Sequence, residues 1–298
     1  MEMFNGPMQS WPAIINFSGL VKLSESKLNI FFYDSGPSDK PALMLIHGLG
    51  DDADTWRHVF IPLAEKYRVI ALDLPGFGRS EKPNRIYSPS FLRDCIVALM
   101  DKLMLGSAWL IGNSLGAMLA EAVALKHPKK VTGLTLLDGT LTTPVLAYHK
   151  FLLMMSLPFL GKRAYDGLRK QPQEAYESLR LFYANLDQLP DADKSFLYQR
   201  VNERIWDAKQ RDAFLSILHQ LVWQLPLLRR YYASCVAKLE MPIHLVWGEK
   251  DLVIPVIAAY QFIKLQASAQ LTVLPGVGHI PQQEAPEAVI QAVLKGKN

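Results

Sequence analysis

The chain of 298 residues predicts an α/β fold, a mostly parallel sheet with helices on both faces that is interrupted by a helical insertion. Three observations lead there. Up to residue 140, short apolar runs alternate with helical patterns over short links, which implies right-handed crossovers between parallel strands. The alternation then stops, and 141–232 holds no convincing strand pattern. It resumes at Ile243 and continues to the end.

Each element can be justified in order. Residues 17–34 read as two strands joined by a polar turn at Ser24-Glu25-Ser26, and Gly36-Pro37-Ser38 then breaks the chain. The run 42–46 is continuously apolar, as a strand buried on both faces must be. A helix is expected over 53–66, a strand over 68–72, a helix over 90–105, strands over 108–111 and 131–137, and a helix between them stopped by Pro128. The insertion is rich in Leu, Phe, Tyr and Trp and is punctuated by Pro158, Gly161, Pro172, Pro190 and Pro226. Strands 243–247 and 271–274 follow, with helices near 257–265 and from Pro286.

Composition narrows the function. Half the residues are apolar, a fifth are charged and the net charge is +4, an ordinary globular balance. No basic block or basic-aromatic stripe argues for nucleic acid. The two cysteines, Cys95 and Cys235, show no metal-binding or disulfide spacing and read as buried free thiols of a reducing compartment. The first twenty residues lack a signal-peptide pattern, and the most apolar window, 151–160, is too short to span a bilayer. A cytoplasmic protein without a membrane span is expected, as a monomer or homodimer. No G-x-x-x-x-G-K-[ST] occurs, 76–81 is an incomplete G-x-G-x-x-G, and no cluster has metal-ligand spacing. No cofactor and no metal are expected.

The chemistry is carried by Gly112-Asn113-Ser114-Leu115-Gly116, a G-x-S-x-G set between a strand and a helix. That context strains the serine backbone and lifts its hydroxyl clear of the sheet. A serine needs a base, and the base needs an orienting acid. Ligands of open α/β sheets sit beyond the carboxyl ends of the strands, so the partners should follow strand ends. His279, in Gly276-Val277-Gly278-His279, fits the base, and Asp251, in Gly248-Glu249-Lys250-Asp251, fits the acid. Asp138 also ends a strand and competes for the acid role, with Glu249 a weaker rival. His58, His127, His149, His219 and His244 lack a glycine-rich strand-end setting. His47-Gly48-Leu49-Gly50 follows strand 42–46 and is expected to supply an oxyanion donor, the Leu49 N–H, beside the Leu115 N–H at the start of the helix. His47 is expected to brace that loop.

These motifs, with Asp73-Leu74-Pro75-Gly76-Phe77-Gly78-Arg79-Ser80 and Gly248-x-x-Asp251-x-x-x-Pro255, resemble the α/β-hydrolase superfamily in its lidded single-chain branch. The resemblance covers roughly 40–140 and 240–298. It implies a mostly parallel eight-stranded sheet, a core of 1–140 and 233–298, and a cap of 141–232. It also implies Ser114 as nucleophile, His279 as base, Asp251 as acid, and Leu49 and Leu115 as oxyanion donors. Aspartate nucleophiles of the dehalogenase and epoxide-hydrolase branches are disfavoured by the serine. The expected activity is hydrolysis of carboxylic esters with medium-sized, mostly hydrophobic parts, through an acyl-enzyme. The alternatives are a carbon–carbon bond hydrolase of the meta-cleavage-product type, or a slow-turnover ligand sensor on the same core. Against the first of these, Asp51-Asp52 stands where such hydrolases carry a longer glycine-rich loop. Most apolar residues of the insertion should pack internally while a minority line a pocket. Lys162, Arg163, Arg169 and Lys170 should be solvated, and no anchor for a carboxylate or phosphate is apparent.

Overall fold

A computed structural model describes residues 4–143 and 150–295, so His149 lies outside the described residues. Eight strands form one sheet: β1 (Ser18–Lys22), β2 (Asn29–Asp34), β3 (Ala42–Ile46), β4 (Arg68–Leu72), β5 (Ala108–Asn113), β6 (Val131–Leu137), β7 (Ile243–Gly248) and β8 (Gln270–Leu274). Their order is β1-β2-β4-β3-β5-β6-β7-β8. β1, β2 and β4 pair antiparallel, and all pairs from β4 to β8 are parallel.

The period of two in a strand explains both layers. Met44, Ile46 and Leu110 face a core that includes Leu92, Met118 and Phe262, from α2 (Pro89–Lys102), α3 (Leu115–Lys126) and α10 (Ile257–Leu265). Leu43, Leu45 and Ile111 face the other way, onto Trp56, Phe60, Val289 and Val293. Phe60 lies on α1 (Phe60–Ala64), and Val289 and Val293 on α12 (Pro286–Lys295), which follows the short α11 (Pro281–Glu284). The expected helix over 53–66 is instead a 3₁₀ turn, Ala53–Trp56, followed by the short α1. Pro62 explains the break: it has no N–H for the His58 carbonyl, so it is tolerated only in a first turn.

Between β6 and β7 the described residues are helical. They comprise α4 (Lys150–Met155), α5 (Pro158–Leu168), α6 (Pro172–Glu177), α7 (Asp191–Trp206), α8 (Ala208–Trp223) and α9 (Leu225–Val236), with short 3₁₀ turns. The prolines that punctuate this stretch begin helices, where a missing N–H costs nothing: Pro158 and Pro172 open α5 and α6, and Pro226 is the second residue of α9. A separate cluster including Tyr165, Leu197, Val201 and Leu218 holds these helices together. Cys95 is buried and Cys235 only partly so, and both are free thiols. No helix among the described residues is long and apolar enough to cross a membrane.

Candidate active site

Ser114 stands between β5 and α3 at φ 54°, ψ −115°, a left-handed conformation that a side chain rarely adopts. Its N–H donates to the Leu137 carbonyl at 2.8 Å, tying the turn to the end of β6. The turn packs so closely on β3 that a Cβ on Gly116 would fall 2.0 Å from the Ile46 carbonyl oxygen. A glycine there is what allows α3 to start directly beneath the loop after β3.

His279 arrives from the loop after β8. That loop crosses the end of β7 at Gly248, where a Cβ would meet the Gly278 carbonyl at 2.0 Å. Three bonds fix the histidine. Its N–H donates to the Phe182 carbonyl at 2.8 Å. Its carbonyl accepts from Asn113 Nδ2 at 3.0 Å. Its Nδ1 lies 2.7 Å from Asp251 Oδ2. The other oxygen of Asp251 accepts the N–H groups of Val253 and Ile254, at 2.7 and 2.9 Å. A carboxylate so supplied with donors acts as an acceptor, which places the ring proton on Nδ1 and leaves Nε2 with a free lone pair.

Asp138, the rival acid, is present as well. One of its carboxylate oxygens, one of Asp251 and a ring nitrogen of His279 all lie within 4.8 Å of one another, the one such three-ligand grouping among the described residues. Two buried carboxylates cannot both stay ionised at that range. Asp251 has three donors, whereas Asp138 has one, the Gly248 N–H at 2.8 Å, and its Oδ2 meets none. Burial and the charge of Asp251 accordingly push the Asp138 carboxyl well above its usual range. The stable arrangement is a protonated Asp138 facing an ionised Asp251, so the two acids hold different roles. Their spacing of more than a hundred residues conceals the pairing in the sequence.

The loop after β3 is braced by His47. Its Nδ1 pairs with the Gly48 carbonyl at 2.7 Å and its Nε2 accepts the Leu74 N–H at 2.9 Å. Burial lowers its pKa, so the ring stays neutral. Among the described residues, neither Leu49 nor Leu115 spends its N–H in a turn, loop or cap hydrogen bond.

Ser114 and His279 line one cavity of about 170 Å³, shared with Leu49 and Asn113. Its wall is mostly apolar and drawn from the helices between β6 and β7, including Leu152, Met155, Leu197, Phe214 and Leu218. No other described histidine borders it. His58 bonds Asp193 at 2.8 Å, His244 bonds the Ala292 carbonyl and Thr272, and His219 faces the Ser156 carbonyl.

Two residues that the sequence concealed shape this wall. Arg204 of α7 borders the cavity and binds Asp51, and it reaches Asp52 at 2.8 Å. Arg200, one turn earlier, reaches Asp52 at 3.3 Å and Asp54 at 3.0 Å. The guanidinium groups hold the Asp52 carboxyl well below its usual range despite its burial. A cation therefore borders the cavity, but its charge is met by two aspartates. Of the four basic residues expected to be solvated, Lys162, Arg163 and Lys170 are exposed, whereas Arg169 is partly buried and donates to the Ile205 carbonyl at 2.9 Å.

A family model described as "alpha/beta hydrolase fold" matches residues 41–286. The chain is 29% identical over 276 residues to the 2-hydroxy-6-oxononadienedioate/2-hydroxy-6-oxononatrienedioate hydrolase of Escherichia coli K12, covering 90% of each chain. It is also similar to the solved structure of a putative lipase from Acinetobacter baumannii, with a TM-score of 0.77 and 26% identity over 94% of this chain and 91% of that one. A bacterial membrane phospholipase A gives a TM-score of 0.73 at 27% identity, covering 94% of this chain and 84% of that one.

Proposed function

The chain belongs to the α/β-hydrolase fold family, and from that membership we propose that it is a serine hydrolase of carboxylic esters with a mostly hydrophobic acyl or alcohol part. The observation that carries the proposal is the 2.7 Å contact between His279 Nδ1 and Asp251, in a ring that borders the same cavity as a backbone-strained Ser114.

The steps are those of acyl transfer. His279 Nε2 takes the Ser114 proton as Oγ attacks the ester carbonyl. The N–H groups of Leu49 and Leu115 receive the developing oxyanion, and the positive end of α3 adds to the field. The imidazolium, stabilised by Asp251, protonates the leaving alcohol, and water then resolves the acyl-enzyme by the same route. The core is 1–140 with 233–298, and 141–232 acts as its cap. No cofactor takes part.

Carbon–carbon hydrolysis has support from the Escherichia coli relative, whose named substrates are dienedioates and trienedioates. The surroundings of Arg204 support the ester reading. A dianionic substrate needs an available cation, and here Asp51 and Asp52 already neutralise the one that borders the cavity. A neutral ester leaves that cluster intact, and the similarity to a lipase and a phospholipase points the same way. The test is turnover of p-nitrophenyl esters of graded chain length beside a vinylogous diketo acid. Ser114→Ala should lower ester kcat by at least ~10³-fold with the fold retained. Undiminished activity in that variant, or a strong preference for the diketo acid, contradicts the proposal.

A further inference from the structure

The helices between β6 and β7, several of which wall the cavity, also carry an outward face. Phe159 and Leu160 on α5 lie in the open, the former 91% exposed. So do Trp223 at the end of α8 and Leu227, Leu228 and Tyr231 on α9, with Leu227 82% exposed. These positions adjoin one another. Trp223 Nε1 donates to Ser156 Oγ at 3.1 Å, and His219 Nδ1 lies 3.1 Å from the Ser156 carbonyl, so the end of α8 is fastened to the turn that leads into α5. α9 begins two residues after Trp223, and Leu227, Leu228 and Tyr231 share one of its faces by helical spacing. Large apolar side chains gathered in water mark a surface that something covers.

Charge says what. Neither 150–165 nor 213–239 contains a single Asp or Glu. Their exposed charges are all cations: Lys150, Lys162, Arg163, Arg230 and Lys238. The acids that α5 and α8 carry just beyond these segments, Asp166 and Asp212, are both paired with Arg211, so the cations beside the apolar residues are in excess. That is the composition of a face that lies in the headgroup region of an anionic bilayer. A protein partner or a second copy of this chain would call for mixed charge at the rim.

We propose that this face of α4, α5, α8 and α9 docks on membranes that contain anionic phospholipid, and that the ester substrate is a membrane-resident acyl lipid. The link to substrate rests on the esterase reading, because the same helices turn Leu152, Met155, Leu218 and Leu221 into the catalytic cavity. The docking itself does not depend on catalysis.

The experiment is flotation of the full chain with phosphatidylcholine vesicles, with and without phosphatidylglycerol, beside turnover of a soluble short-chain ester. Wild type should bind the phosphatidylglycerol vesicles at least ~tenfold more strongly than the neutral ones. Phe159→Asp with Leu227→Asp should cut that binding ~tenfold or more while the soluble ester is turned over within ~twofold of wild type. Lys162→Glu with Arg163→Glu, which leaves the apolar residues in place, should abolish the preference for anionic vesicles. The docking proposal is overturned if wild type fails to float. It is equally overturned if either double variant floats as well as wild type, or if the face instead holds a dimer that Phe159→Asp dissociates. Loss of esterase activity in Ser114→Ala together with absent flotation would reject docking and keep the esterase. Flotation without any ester turnover would do the reverse.

Discussion

Asp138 and Asp251 show how one environment assigns two acids. Asp251 is held ionised by backbone donors and the His279 ring, and Asp138 is left to carry the shared proton. An asparagine at 138 reproduces a neutral acid, since its amide can donate toward Asp251 while its oxygen accepts the Gly248 N–H. It also tolerates the φ of 50° that this position requires. Asp138→Asn should therefore keep kcat/KM within ~threefold of wild type, whereas Asp138→Ala should lose ~10- to 100-fold and move the acid limb of its pH profile. Equal loss in both variants, with an unmoved profile, would show that Asp138 serves only to fill space.

Glu121 of α3 is a second buried acid. Thr140 Oγ1 donates to it at 3.0 Å, yet burial pushes its pKa up to about 8. Its unfolded value is near 4.5, so between about 4.5 and about 8 the folded chain binds more protons than the unfolded chain. Stability must then fall as pH rises through that window and level off above it. Glu121→Gln keeps the hydrogen bonds without the titration. Its melting temperature should exceed that of wild type above about pH 8 and converge on it toward acid pH. A constant difference across the range would contradict this.

At the level of elements, α7 is clamped to the loop after β3 by charge. Arg200 and Arg204 reach Asp51, Asp52 and Asp54, and Arg57 and His58 reach back to Asp193 of α7. Asp52 is fully buried, and its removal takes one carboxylate partner from each of two guanidinium groups, leaving Arg204 with Asp51 and Arg200 with Asp54. Asp52→Ala should cost about 3–5 kcal/mol in urea unfolding, and Arg204→Met with Asp51→Leu far less, because a whole pair is replaced by apolar groups. A loss below about 1 kcal/mol in Asp52→Ala would mean that the clamp is hydrated and weak. The clamp also neutralises the cation that borders the cavity. That dual role was invisible in the sequence, where Asp51-Asp52 is separated from Arg204 by about 150 residues and reads only as a departure from a glycine-rich loop.

Across the whole molecule, legibility follows local determinism. The central strands were readable because a strand buried on both faces is mostly apolar, as in the unbroken run 42–46 and the nearly apolar runs 68–72, 131–137 and 243–247, all of which fall within observed strands. Ser114 and His279 were readable because a strained turn and a tight loop crossing demand glycines at fixed offsets, and both residues border one cavity. The helical stretch between β6 and β7 was readable as helices but not as faces. An apolar residue at helical spacing does not say which side is water, and Phe159 and Trp223 of this stretch lie in the open. The antiparallel strands at one edge were legible through the polar turn between them. The 53–66 region was not, because Pro62 and the buried charges of Asp52, Asp54 and Arg57 outweigh its helical pattern.

Covalent acylation of Ser114 is the step on which the proposed function turns. Acid-quenching wild type during the pre-steady-state burst on a p-nitrophenyl ester, followed by mass spectrometry of its peptides, reads this directly. One acyl group is expected on the peptide that contains Ser114, and none in Ser114→Ala. Rapid turnover with no acylated peptide, or an acyl group on another residue, would contradict the proposal.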